Sequence, residues 1–408
     1  MIKKTGILVI VVGLLLAILS PVSVQAQGGL AILESSARAD FPSQLSFSLS
    51  AESEVNITDI RLHYTVDRVS FARVTSEVYI EFVLANTVDA EWTWDMRKTG
   101  GLPAGSTIEY WWTVTDASGN KVETTPAQVR FDDNRYSWHS LTGGKITLYW
   151  YRGDESFAQE IMAAAQEALA RLAKDTGAYL EKPVSVYVYA GAQDLRGAMI
   201  FPQEWTGGVA YTRYGVIAIG IAPDNLQWGK RAIAHELAHL VIHQMTLNPY
   251  NYLPTWLDEG LAMYAEREPE AIYEAYLKQA IAENSLISVR SLASPFSAYA
   301  GQSYLSYAQS YSLVEFLIAH YGQDRMYELL NSFTQGSSYD GALNTVYGFD
   351  MDGLNTLWRG YVSEQYKSTE VTTAEMHPAL IGALAALATA LLLALALVTE
   401  NWAWRRGW

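Results

Sequence analysis

Apolar and polar residues alternate with period two along residues 44–50, 57–66, 74–83, 90–94, 108–114 and 122–131. That is the pattern of strands with one face buried and one face wet. The runs Thr99-Gly-Gly-Leu-Pro103 and Ala117-Ser-Gly-Asn120 supply turns between them. Six or seven short strands between Leu30 and Asp133 predict a β-sandwich. From about Lys145 the pattern changes. Residues 146–151 and 184–189 read as strands, with an Ala-rich amphipathic helix over 157–174 between them, and 209–221 reads as a further strand or hairpin. Beyond Gln227 nearly everything is helical to about Gln365. A mixed half followed by a helical half predicts an α+β domain.

The two ends are patterned differently. Lys3 and Lys4 precede an unbroken apolar run over 7–19, followed by Pro21 and the small-residue site Val24-Gln25-Ala26. This is the layout of a secretory signal peptide cleaved after Ala26. Residues 378–398 are uncharged and rich in Leu and Ala, long enough for a hydrocarbon core of about 30 Å. Trp402 and Trp404 follow as interface residues, then Arg405 and Arg406 as a cytoplasmic stop. The expected organisation is therefore multidomain: signal peptide 1–26, all-β sandwich 27–135, α+β domain 145–366, stalk 367–377, one transmembrane helix 378–398 and a cytoplasmic tail 399–408. The expected location is the cell membrane, single-pass, with the folded domains outside the cytoplasm.

Composition narrows the function. A net charge of −15 repels phosphate backbones and argues against nucleic acid as a partner. The absence of Cys removes disulfides, thiolate metal sites and cysteine nucleophiles. Trp92, Trp94, Trp111 and Trp112 could suggest a ligand-binding face on the sandwich. Adjacent Trp111 and Trp112 must point to opposite sides of one strand, and core packing explains such residues better than a binding face.

The chemistry concentrates at His235-Glu236-Leu237-Ala238-His239. Four residues apart on a helix, the two imidazoles share a face and can ligate one ion, with Glu236 beside them as a general base. Ala232, Ile233, Ala234, Leu237, Ala238, Leu240, Val241 and Ile242 make the helix apolar nearly all round, hence buried. Buried His and Glu side chains need partners, and a metal ion satisfies all three. A third ligand must come from elsewhere. His243 lies eight residues past His235, about 12 Å along the axis, too far for one ion, and reads as a surface residue or one that supports a ligand. A third His six residues after the second, with a Gly between, is also missing.

Downstream stands Pro254-Thr-Trp-Leu-Asp-Glu-Gly-Leu-Ala-Met-Tyr264. With the His235–His239 motif, this stretch resembles the gluzincin metallopeptidases, the clan of aminopeptidase N-like and thermolysin-like enzymes, and in particular their bacterial peptidase MA-like group. The resemblance spans about 145–366. It implies one zinc ion held by His235, His239 and Glu259, with Asp258 as the alternative to Glu259 and Glu236 as general base. It also implies an oxyanion-donating Tyr at the start of the helix that follows the ligand helix, Tyr307 or, one turn on, Tyr311. The stretch from Tyr110 to Asn120 resembles the late-strand hairpin of bacterial immunoglobulin-like and fibronectin III-like domains.

The chain departs from the family pattern twice. Gly207-Gly-Val-Ala-Tyr-Thr-Arg213 lacks the Glu with which aminopeptidases of the clan grip a free amine, which points to an endopeptidase. The position four residues after Glu259, where thermolysin-like enzymes have an Asp that orients a ligand His, is Met263. The expected function is hydrolysis of extracytoplasmic peptides or proteins. A zinc hydrolase of a non-peptide amide or ester shares the same metal chemistry. A non-catalytic surface binding protein would have no use for Glu236.

Overall fold

The computed structural model describes residues 26–374 except Gly28, Trp205, Glu268 and Ala298. The expected signal peptide up to Gln25, transmembrane helix 378–398 and tail 399–408 lie outside the described residues. Among the described residues no helix is long and apolar enough to cross a membrane. The described residues divide into two compact units, one within 1–137 together with 196–202 and one within 138–195 together with 203–408.

The first unit contains β1 (Ala26–Gln27), β2 (Leu30–Asp40), β3 (Gln44–Glu52), β4 (Ile57–Val66), β5 (Ser76–Tyr79), β6 (Thr87–Asp95), β7 (Ser106–Asp116), β8 (Lys121–Glu123) and β9 (Ala127–Phe131). One sheet runs β1-β2-β3-β6. The other runs β5-β4-β7-β8, with β9 also on β7. Period-two burial is explicit in β3, where Leu45, Phe47, Leu49 and Ala51 point inward. Phe47 meets Tyr64 and Tyr110 of the other sheet at ring separations of 6.3 and 5.1 Å, which joins the two sheets as a sandwich. Trp112 is fully buried and Trp111 stacks on His63 at 5.3 Å, as opposite faces of one strand require. Two strands differ from the expected pattern. The run over 122–131 splits into β8 and β9 around Pro126, which has no N–H for the ladder. The 74–83 run shortens to β5.

The second unit starts with β10 (His139–Gly143), which precedes the expected boundary at 145, and continues with β11 (Ile146–Trp150), α1 (Glu155–Thr176), β12 (Val184–Tyr189), α2 (Ala192–Arg196), β13 (Gly208–Tyr211) and β14 (Val216–Gly220). The sheet order is β10-β11-β12-β14-β13. The three central strands are parallel and both outer strands antiparallel. Helix α1 is the crossover that parallel β11 and β12 need. Asp154 caps it by accepting from Phe157 N at 2.9 Å, and Gly177 closes it with φ +69°. The sheet buries Ile146, Leu148, Val186 and Val188 with α1 residues such as Ile161 and Ala165.

Helices α3 (Leu226–Met245), α4 (Thr255–Ala265), α5 (Ala271–Ala282), α6 (Val289–Leu292), α7 (Ala300–Tyr321), α8 (Gln323–Thr334), α9 (Tyr339–Tyr347) and α10 (Met351–Ala374) follow. Helix α10 continues into the segment expected as stalk. Buried Gln309 of α7 accepts from Ile287 N and donates to Ile287 O, both at 2.9 Å, satisfying a polar group in an apolar setting. Helices α4 and α7 cross closely at Gly260, where a Cβ would stand 2.4 Å from Ser310 O and 2.7 Å from Val314 Cγ2. The crossing sets the distance between the two helices that carry Glu259 and Tyr307.

Gly260→Ala is therefore expected to destabilise the unit. Helix propensity favours Ala by about 1 kcal/mol, but overpacking against backbone costs about 1–3 kcal/mol and should win. Urea denaturation followed by circular dichroism checks this. A midpoint at or above that of the unchanged protein would mean that the two helices separate without cost.

Candidate metal centre

Helix α3 presents His235, Glu236 and His239 from a segment otherwise buried through Ile233, Ala234, Leu237, Ala238, Leu240, Val241 and Ile242. Helix α4 is packed against it and brings Glu259 to the same point. The Glu259 Oε2 atom lies 3.5 Å from His235 Nε2 and 3.7 Å from His239 Nε2. Three ligand atoms, one from each residue, fall within 4.8 Å of one another. Two ligands held about 2.0–2.1 Å from a tetrahedral ion stand about 3.3 Å apart, so the three residues need little adjustment to share one.

The opposite edges of both imidazoles are already engaged. His235 Nδ1 is 2.7 Å from Glu266 Oε1, and His239 Nδ1 is 2.9 Å from Asp258 Oδ1. Burial opposes charge on both rings. The Glu259 and Glu266 carboxylates nevertheless hold His235 well above the ordinary imidazole range, and Asp258 and Glu259 lift His239 to about 9. The site as a whole calls for positive charge.

Glu259 Oε2 is buried and has no hydrogen-bond partner among the described residues, which bears directly on whether a metal fits. With each Nδ1 bound to a carboxylate, a neutral ring carries its proton there and turns the Nε2 lone pair inward. Two lone pairs and a carboxylate oxygen then face one another, an arrangement that repels unless protons on the rings or a metal cation sit among them. Two imidazoles and one carboxylate also form a ligand set of the kind found at catalytic zinc. The residues fit.

Glu236 is half-buried, and burial raises its carboxyl above the usual range. It lies against β13, one of the two edge strands of the sheet. A Cβ on Gly208 would stand 2.6 Å from Glu236 Oε1, so the absence of a side chain there makes room for the carboxylate. The Tyr307 phenol is pushed well up, first by burial and then by the Glu259 carboxylate, with Tyr273, Glu236 and Asp258 adding. It therefore keeps its proton beside these carboxylates. Its ring packs on Phe296 at 5.2 Å and Tyr273 at 6.5 Å. Tyr311, one turn on, instead donates to Glu315 Oε1 at 3.3 Å.

Residues 164–364 match the peptidase MA superfamily. Among solved structures the chain is similar to an M1 zinc metallopeptidase from Deinococcus radiodurans, with 14% identity, 81% of this chain and 94% of that one covered, and a TM-score of 0.36. It is similar to aminopeptidase A from Legionella pneumophila at 11% identity, covering 82% of this chain and 50% of that one, with a TM-score of 0.38. OgpA from Akkermansia muciniphila matches at 8% identity over 26% of this chain and 28% of its own length, with a TM-score of 0.20. The chain thus spans half of the Legionella enzyme and less than a third of OgpA. Scores this low add no argument. No curated protein sequence matches the chain.

Within the matched segment, the structure brings together His235, Glu236, His239, Glu259 and the neighbourhood of Tyr307. It gives Asp258 a different place from the alternative ligand position. Both of its oxygens are committed, one to His239 Nδ1 and the other to His243 Nε2 at 2.9 Å. The residue facing His235 Nδ1, Glu266, was not among the sequence candidates. Met263, at the position compared with the thermolysin-like enzymes, is buried in the core. The available signal was spacing: Glu266 follows Glu259 by seven residues, about two helical turns, and so returns to the same face.

Glu259→Ala should strip most bound zinc from the protein on dialysis. Asp258→Ala and Glu266→Ala should still take up zinc, with affinity weakened by about 10- to 100-fold. Metal analysis with chelator competition checks both. A metal-free Asp258→Ala beside a zinc-loaded Glu259→Ala would transfer the ligand role to Asp258.

Proposed function

We propose that this protein is a membrane-anchored zinc peptidase that hydrolyses extracytoplasmic peptides or proteins as an endopeptidase. The observation that carries the reading is the convergence of two imidazole Nε2 atoms on the unpartnered Glu259 Oε2, with Glu236 next to His235 on the same helix. His235, His239 and Glu259 would hold one zinc ion. When bound, zinc supplies a Lewis acid that lowers the pKa of a water molecule and polarises the scissile carbonyl. Glu236 takes a proton from the attacking water and returns it to the leaving amine, a role suited to a carboxyl raised by burial. The Tyr307 hydroxyl donates to the carbonyl oxygen as negative charge develops there.

An extended substrate would add to the exposed edge of β13, its backbone pairing with 208–211 and its scissile bond near Glu236. The segment 207–213 has no carboxylate for a free amine, which supports internal cleavage. The apolar runs over 7–19 and 378–398 support placing the catalytic domain outside the cytoplasm.

Glu236→Gln should retain zinc and lose at least about 100-fold in rate, because Gln cannot accept the proton. Tyr307→Phe should also retain zinc and lose about 100- to 1000-fold in kcat with KM little changed, since its bond forms in the transition state. Cleavage of a peptide library by the zinc-loaded full chain is the assay. An unchanged kcat in Tyr307→Phe together with a collapsed one in Tyr311→Phe would move the donor by one turn. No cleavage of any peptide, with amide or ester hydrolysis instead, would reject the peptidase reading.

Topology is separately testable. Protease added to intact cells should remove the folded domains and leave a short C-terminal fragment. A fully protected chain would reject the extracytoplasmic placement.

A further inference from the structure

We propose that His243 is a positioning residue for His239, acting through Asp258, so that a ligand imidazole is held by a relay of His, Asp and His rather than by a single carboxylate. The inference rests on the zinc-peptidase reading and extends it to a residue outside the metal-holding set. His235, His239 and His243 follow one another at intervals of four on α3 and share one face. The Asp258 side chain enters between the last two. Its Oδ1 is 2.9 Å from His239 Nδ1 and its Oδ2 is 2.9 Å from His243 Nε2.

A carboxylate with one partner retains a soft torsion about its last bond, because terminal torsions of Asp are broad. A second donor on the other oxygen removes that freedom and fixes the plane of the carboxylate. The direction of the His239 Nδ1–H bond, and with it the inward aim of Nε2, then follows from two contacts on two helices. Burial opposes charge on Asp258, but the attraction of His239, followed by hydrogen bonds from both histidines, keeps its carboxyl well below the usual carboxylate range. It thus remains a charged acceptor for His239. His239, His243 and Asp258 have the composition of a second metal group. Their 2.9 Å separations are hydrogen-bond lengths, and each Asp258 oxygen is already engaged by one ring nitrogen.

The test compares His243→Phe, which keeps ring volume but removes the donor, with His243→Gln, which keeps an N–H donor. Both are made in the full chain. Zinc affinity is read by chelator competition, and the visible spectrum of the cobalt-substituted protein reports ligand geometry independently of activity. His243→Phe should weaken zinc about tenfold, at the lower end for residues behind a ligand, and alter the cobalt spectrum. His243→Gln should recover most of the affinity. In an Asp258→Ala background, His243→Phe should cost nothing more, because the relay is already cut. Wild-type zinc affinity in His243→Phe would overturn the proposal. So would equal losses in the Phe and Gln variants, or full additivity with Asp258→Ala. A bound-zinc stoichiometry of two that falls to one in His243→Phe would overturn it in favour of a second metal site. Failure of the unchanged protein to bind zinc would overturn the zinc-peptidase reading as well, whereas tight binding there with no response at His243 overturns this inference alone.

Discussion

A buried carboxylate oxygen with no donor among the described residues, Oε2 of Glu259, faces two imidazole nitrogens, and the arrangement of the second unit depends on resolving that contact. Moving a carboxylate out of water costs several kcal/mol unless its charge is met. Among the described residues no hydrogen bond does so. The protein surrounds the two rings with Glu266, Asp258 and Glu259 instead, so the electrostatic field at the centre favours a cation. A divalent ion would be the largest local charge there and would reverse the repulsion among the inward-facing lone pairs.

The remaining scaffold serves to hold that contact in register. Helix α3 is buried on most of its circumference and can neither rotate nor slide without exposing Leu237 or Val241. Helix α4 lies close enough to α7 that Gly260 has no space for a side chain. This ties the position of Glu259 to that of Tyr307. On the other side the edge strand β13 approaches Glu236 through Gly208, placing one end of the sheet beside that carboxylate. Three elements distant in sequence thereby border one small volume, each positioned by close packing of small residues as much as by polar contacts.

The local features were the legible ones. Period-two alternation announced most strands of the sandwich, and the four-residue spacing of His235 and His239 announced two side chains on one helical face. Both signals are geometric consequences of a single element, so they survive without knowledge of neighbours. The long strand Leu30–Asp40 was harder to see, because beyond Ile32 its residues are exposed or half-buried and carry little apolar pattern. The break at Pro126 changes ladder pairing rather than hydropathy, and the run around it read as one strand.

By itself the sequence determined a β-rich first unit, a mixed and then helical second unit, and a histidine pair with a carboxylate beside it on one buried helix. Only the tertiary structure decided the division of labour among the acidic residues. Asp258 and Glu259 are adjacent in the chain, yet successive helical positions point about 100° apart, so one reaches Oε2 into the Nε2 cluster while the other turns to the outer edges of His239 and His243. Glu266, two turns on, comes back to meet His235 because the crossing of α3 and α4 puts that face of α4 against it. Which carboxylate meets which nitrogen depends on the angle and distance between two helices, and that is a property of packing between segments rather than of either segment alone.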